Sequence, residues 1–149
     1  MTGQGPGSVG VIVVTHGQLA TELLNAAEMI VGDLPRFTAV SIGWHDDVTV
    51  AREAIRGALE RVAGPSGVLI LTDMFGGTPS NLGMAFLEVG RVEVVTGVNL
   101  AMLIRLARTR EGGDLRDLAR QVADDGRAAI HVASDFLKSR RTVPPEVEE

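Results

Sequence analysis

At 149 residues, with 45% apolar and 22% charged side chains, the chain is sized and composed as one globular domain with a proper core. A formal charge of −5 argues against general nucleic-acid binding, which needs a basic face, and 3% aromatic content without tyrosine leaves little for base stacking. The absence of cysteine excludes a disulfide framework and a thiolate zinc site, and no apolar run approaches the ~20 residues of a transmembrane helix.

Residues 1–8 are rich in Gly and Pro and read as a disordered lead. From Val9 to Thr15 the chain is apolar and β-branched, then stops at His16-Gly17. Such a run is the pattern of a strand buried on both faces, in the middle of a parallel sheet. Leu19, Leu23, Ala27 and Ile30 then follow helical spacing up to Val31, with Gly32 as the stop. Phe37 to Ile42 is β-prone and ends at Gly43. Asp46 and Asp47 cap a helix with Val48, Ala51, Ile55, Leu59 and Val62 on one face. Gly64-Pro65-Ser66 breaks that helix before a second buried strand from Gly67 to Thr72.

The loop Asp73-Met74-Phe75-Gly76-Gly77 leads into a helix expected to have Thr78 as its N-cap and Pro79 first, and to run to about Val89, with Gly90 ending it. Val92 to Thr96 is a further strand, and Asn99 caps a helix from Leu100 to about Arg110. After Gly112-Gly113, Asp114 caps a helix from Leu115 to about Asp125, stopped by Gly126. Ala128 to Ala133 is the last and weakest strand, in which His131 is structural. The domain spans residues 9–137; residues 138–149 read as a charged, disordered tail whose Lys138, Arg140 and Arg141 are solvated.

Alternating strands and helices predict an α/β fold: a three-layer α/β/α, doubly wound, mainly parallel sheet in one domain. With the two most apolar strands central, the order is 2-1-3-4. Chain direction reverses between strands one and three, the switch point where open α/β sheets bind ligands. His16 and Asp73, each at the end of a central strand, meet there.

An imidazole beside a carboxylate has a defined chemistry. The carboxylate holds one ring nitrogen and fixes the tautomer, so the other nitrogen faces outward as a nucleophile. There is no G-x-S-x-G elbow and no cysteine, which makes His16 the candidate for covalent chemistry. Gly76 and Gly77 allow close backbone approach to an anion, the following helix aims its N–H groups at the crevice, and Thr78 and Ser80 add hydroxyls. Phosphoryl is the anion that histidine nitrogens accept covalently. Neither the P-loop nor the G-x-G-x-x-G fingerprint is present, so no nucleotide is indicated.

Three blocks, Val-Val-Thr-His-Gly (13–17), Leu-Thr-Asp-Met-Phe-Gly-Gly-Thr-Pro-Ser-Asn (71–81) and Val-Thr-Gly-Val-Asn-Leu-Ala-Met-Leu (95–103), resemble the mannose-type enzyme IIA family. These are phosphocarrier domains of the bacterial phosphoenolpyruvate-dependent sugar phosphotransferase system. The resemblance covers about Val9 to Ala133 and lies in three ordered blocks. It implies that His16 takes phosphoryl from phospho-HPr and passes it to a IIB protein or domain, that Asp73 orients His16, and that Gly76, Gly77 and Thr78 bind the phosphoryl group. It also implies a cytoplasmic homodimer, without cofactor, whose last strand (here Ala128 to Ala133) pairs antiparallel with the partner's sheet. An exchanged and an unexchanged strand are both compatible with the sequence.

Contact with a membrane is expected only indirectly, through a IIC/IID transporter. Since the sequence ends soon after the IIA-like part, a separate IIB protein or a regulatory target is the expected acceptor. The alternatives are a regulatory IIA whose phosphorylation state is read by partners, a phosphoryl donor in a dihydroxyacetone kinase system, and a non-covalent small-molecule binding domain. Thr15, Trp44, Phe75 and Asn99 are candidate crevice or docking residues, Asn99 reading first as a helix cap. Trp44-His45-Asp46-Asp47 reads as a loop and cap rather than a metal site, because no further ligand accompanies it.

Overall fold

A computed structural model describes residues 9–43, 45–109 and 113–140. The chain runs β1 (Gly10–His16), α1 (Leu19–Val31), β2 (Phe37–Ile42), α2 (Val48–Val62), β3 (Val68–Thr72), α3 (Thr78–Met84), β4 (Val92–Thr96), α4 (Leu100–Ala107), α5 (Leu115–Ala128) and α6 (Ala133–Arg140). The four strands pair in parallel in the order β2-β1-β3-β4, the doubly wound arrangement expected from the alternating pattern. Among the described residues no helix is long and apolar enough to cross a membrane.

The uniform apolarity of β1 and β3 follows from their place in the middle of the sheet. Alternate side chains enter the two cores that the flanking helices cover. Val11, Val13, Leu69 and Leu71 pack with Ala20, Met102, Leu103, Leu106 and Val122 from α1, α4 and α5. Ile12, Val14, Val68 and Ile70 pack on the other face with Ala51, Ile55 and Ala58 of α2 and Leu82 of α3. The helix caps follow local side-chain chemistry. Asp47 accepts from the Thr49 N–H at 2.7 Å, Asn99 from Met102 at 3.2 Å, and Asp114 from Arg116 and Asp117 at 2.8 and 3.2 Å.

Several boundaries move. α3 is a turn shorter than its pattern suggested, because residues 88–92 fold into a tight turn instead. There Glu88 N–H donates to Val92 O, and Arg91 N–H to Glu88 O, at 3.0 and 2.9 Å. Its N-cap is Gly77 rather than Thr78. α5 does not stop at Gly126 but continues to Ala128, since Leu115, Ala119, Val122 and Gly126 form one buried face. Gly126 is a packing residue there: a Cβ would stand 2.6 Å from the Met102 sulfur.

The expected strand from Ala128 to Ala133 is the largest correction. Ala128 ends α5, Ala129 is its C-cap, and Ala133 begins α6. Among the described residues no strand pairs with this stretch, and its apolar Ile130 and Val132 are exposed. His131 is exposed too, with its ring centroid 5.8 Å from that of Phe136, so it is not a strand residue. The proposed lead at 1–8 lies outside the described residues, as does the tail beyond Arg140; residues 138–140 close α6.

Gly10 supports this packing by close approach, since a Cβ there would collide with the Val62 carbonyl oxygen and lie 2.8 Å from its Cγ2. Backbone cannot yield as a side chain can. Gly10→Ala is therefore expected to lower stability by about 1–3 kcal/mol. Gly126→Ala should cost less, because the flexible Met102 thioether can move aside. Urea denaturation of the two variants checks the ranking; a Gly10→Ala midpoint equal to that of the parent would contradict it.

Candidate active site

The register of the central strands sets the site. Val14 of β1 lies beside Thr72 of β3, so His16 and Asp73 emerge together where these strands end. His16 N–H donates to Asp73 Oδ2 at 3.0 Å, and the same oxygen lies 2.8 Å from the ring Nδ1. With the carboxylate ionised, Nδ1 is the donor and Nε2 keeps its lone pair. The other carboxylate oxygen accepts from the Met74 N–H at 3.0 Å. The His16 side chain is 54% exposed and that of Asp73 only 14%, so the carboxylate is shielded behind an accessible ring.

Burial, the largest single influence on Asp73, raises its pKa. The hydrogen bond from the His16 ring, the bond from the His16 backbone, attraction to the imidazolium and a bond from its own backbone act the other way. Together they hold the carboxyl below its ordinary value. The group is thus kept ionised where an anion facing the ring is useful.

The turn after β1 is held from both sides. Gly17 N–H donates to Ile42 O of β2 at 2.8 Å. Thr15 accepts from the Ala20 N–H at 2.7 Å and donates to the His16 carbonyl at 3.1 Å. Thr15 is completely buried, which corrects its reading as a crevice or docking residue. Its hydroxyl lies beneath the first turn of α1, where it meets the Ala20 N–H, whereas His16 ends the strand.

The loop after β3 faces the other ring nitrogen. Gly77 has φ +118°, and a Cβ on it would stand 3.4 Å from His16 Cε1 and 3.6 Å from Nε2. Bare backbone thus faces the Nε2 edge of the ring, with Thr78 exposed next to it. Gly76 N–H, by contrast, already donates to Ser80 Oγ at 2.9 Å, and that hydroxyl lies 3.4 Å from Gly77 O as a donor. Ser80 is 0% exposed. Its hydroxyl therefore serves the loop instead of facing the crevice, which corrects its reading as a direct phosphoryl ligand.

Phe75 is 72% exposed and Met74 55%, an apolar tip beside the site. Asn99 is occupied as a cap, and its Nδ2 also donates to Gly126 O at 3.1 Å, tying α4 to α5. Trp44 lies outside the described residues. Asp46 accepts from the Gly43 N–H at 2.6 Å, a turn bond. Among the described residues no group of three or more His, Cys, Asp or Glu is placed to hold a metal ion. Sequence reasoning missed the loop-holding roles of Thr15 and Ser80, because a hydroxyl's partner depends on which way its loop turns.

The arrangement has counterparts in known proteins. The family model EIIA-man, described as the PTS system fructose IIA component, matches residues 10–123. The chain is 29% identical over 142 residues to the fructose-specific EIIA component of the phosphotransferase system of Bacillus subtilis (strain 168), covering 95% of this chain and 97% of that protein. It is 30% identical over 110 residues to the mannose-specific EIIAB component of Escherichia coli (strain K12), covering 70% of this chain but only 32% of that longer protein. The mannose/sorbose-specific IIA subunit of Enterococcus faecalis superposes with a TM-score of 0.75 at 30% identity, over 84% of this chain and 94% of that one. The EIIA component of Streptococcus agalactiae shares the fold with a TM-score of 0.77 at 24% identity, over 85% and 98% of the two chains. A match over this much of the chain, on a sheet of the expected strand order, shows that the chain belongs to the EIIA-man family of phosphotransferase-system components and is a phosphocarrier of the IIA type.

Proposed function

We propose that His16 is the phosphorylated residue, accepting phosphoryl from phospho-HPr and passing it to a IIB protein or domain. The observation that carries this reading is the 2.8 Å contact of Asp73 with Nδ1, which leaves Nε2 as the free nucleophilic nitrogen. The Nε2 lone pair attacks phosphorus in line as the bond to the donor's histidine nitrogen breaks, and that electron pair returns to the donor ring. His16 retains its Nδ1 proton and becomes cationic, and the Asp73 carboxylate stabilises it. The Gly77 and Thr78 backbone receives the phosphoryl oxygens. Positioning and fixed dipoles do most of the work in such a transfer, and the chemistry calls for no cofactor.

The relatives carry several sugar names: fructose-specific, mannose-specific and, for a IIA component of Lacticaseibacillus casei, sorbose-specific. The groups around His16 are those of phosphoryl exchange between proteins, so the reading is a phosphocarrier, not a receptor for one sugar. Exposed Phe75 and Met74 beside the site suit the docking of donor and acceptor proteins. The proposal includes a cytoplasmic setting and a homodimer, the latter supported by the exposed apolar side chains of Ile130, Val132 and Leu137.

Incubation with phosphoenolpyruvate, enzyme I and HPr should add one acid-labile phosphoryl group, read by intact-protein mass. His16→Ala should abolish the gain. Asp73→Asn should slow it by about 100-fold or more while the fold is retained, the loss expected when a charged partner of a reacting group is neutralised. No gain from any HPr tried would count heavily against the reading.

The same pair predicts a pH dependence of stability. Because the folded Asp73 pKa lies below its unfolded value of about 3.9, its contribution is complete above that value and disappears as pH falls through the folded one. The stability gap between the parent and Asp73→Asn should therefore be widest near neutral pH and close below about pH 4. Urea denaturation across that range reads the gap; a constant gap would refute the assignment.

A further inference from the structure

The reading of His16 as the phosphoryl acceptor is the basis for a second assignment. We propose that Ser80 is a positioning residue for the transfer: its buried hydroxyl holds the Gly76-Gly77 turn against Nε2 of His16, so that the loop is shaped before the phosphoryl group arrives.

Three observations carry this. First, Ser80 is 0% exposed, and its hydroxyl joins two loop groups, accepting from Gly76 N–H at 2.9 Å and donating to Gly77 O. Second, the turn it closes has two consecutive residues at positive φ, +81° and +118°, a conformation with much freedom to lose if unheld. Third, that turn faces the reacting atom, because a Cβ built on Gly77 would stand 3.6 Å from Nε2.

Ser80 is in turn anchored to the sheet. α3 lies close on β3 through Gly83, where a Cβ would stand 3.2 Å from Ile70 Cγ2, and Leu82 is buried in the core beneath. A continuous path therefore runs from the core strand through α3 and the Ser80 hydroxyl to the backbone facing His16. The arrangement also occupies the Gly76 N–H, so the groups left to meet a phosphoryl oxygen are those of Gly77 and Thr78.

The test uses the full chain with enzyme I, HPr and phosphoenolpyruvate, varying phospho-HPr concentration. Ser80→Ala should lower the maximal rate by roughly 10- to 100-fold, the effect of a displacement near 1 Å at a reacting centre, while KM for phospho-HPr stays unchanged. Ser80→Thr, which keeps the hydroxyl, should restore most of the rate. Amide exchange at Gly76 should be slow in the parent and fast in Ser80→Ala, and the His16 Nε2 resonance should shift. An unchanged maximal rate in folded Ser80→Ala, or a loss confined to KM, would overturn the assignment. Should Ser80→Ala not fold, Ser80→Cys keeps the volume with a weak acceptor and must show the same rate loss. Failure of the parent to accept phosphoryl would remove the phosphocarrier reading instead. The Gly76 exchange and the His16 resonance would then decide the Ser80 lock alone, with no change in either overturning it.

Discussion

A single carboxylate oxygen, Asp73 Oδ2, holds His16 by both its backbone N–H and its ring Nδ1, and the chemistry of the site depends on that double grip. The backbone bond fixes where β1 ends, and the ring bond fixes how the imidazole is turned and which nitrogen is free. Either alone would leave a degree of freedom at the reacting group. Together they convert an exposed histidine, which would otherwise sample several rotamers, into one with a defined nucleophilic edge. The parallel pairing of β1 and β3 brings the two residues from 57 positions apart to the same end of the sheet.

The loops on either side are built alike. After β1, the fully buried Thr15 hydroxyl accepts from the Ala20 N–H; after β3, the fully buried Ser80 hydroxyl accepts from the Gly76 N–H. Each loop leaves a central strand of the sheet, and each is closed by a hydroxyl from beneath. The exposed parts include the His16 ring, Gly77, Thr78 and the Met74-Phe75 tip. Support below and an open surface above suit the proposed exchange of phosphoryl with docked proteins, in contrast to an enclosed pocket that sequesters a small substrate.

Much of this was legible in the residues themselves. The uninterrupted Val/Ile runs identified the central strands, and their placement was enough to derive strand order 2-1-3-4 and the meeting of His16 with Asp73. Asp47, Asn99 and Asp114 were readable as caps because capping depends on neighbours in sequence. What escaped depends on contacts distant in sequence or on geometry within a turn. Gly126 has the spacing of a helix stop, yet it is the point where α5 packs on Met102. Ala128 to Ala133 has strand-like composition, but a strand needs a neighbour, and among the described residues the stretch instead joins the end of α5 to the start of α6. The directions of the Thr15 and Ser80 hydroxyls could not be read from a pattern of polar and apolar residues.

In the proposed transfer Asp73 holds Nδ1 and leaves Nε2 to carry the phosphoryl group. The most direct measurement is NMR of the ¹⁵N-labelled, phosphorylated protein, in which coupling between phosphorus and a ring nitrogen identifies the bonded atom. A phosphoryl group on Nε2 of His16 is expected; attachment at Nδ1, or at another residue, would refute the role of Asp73.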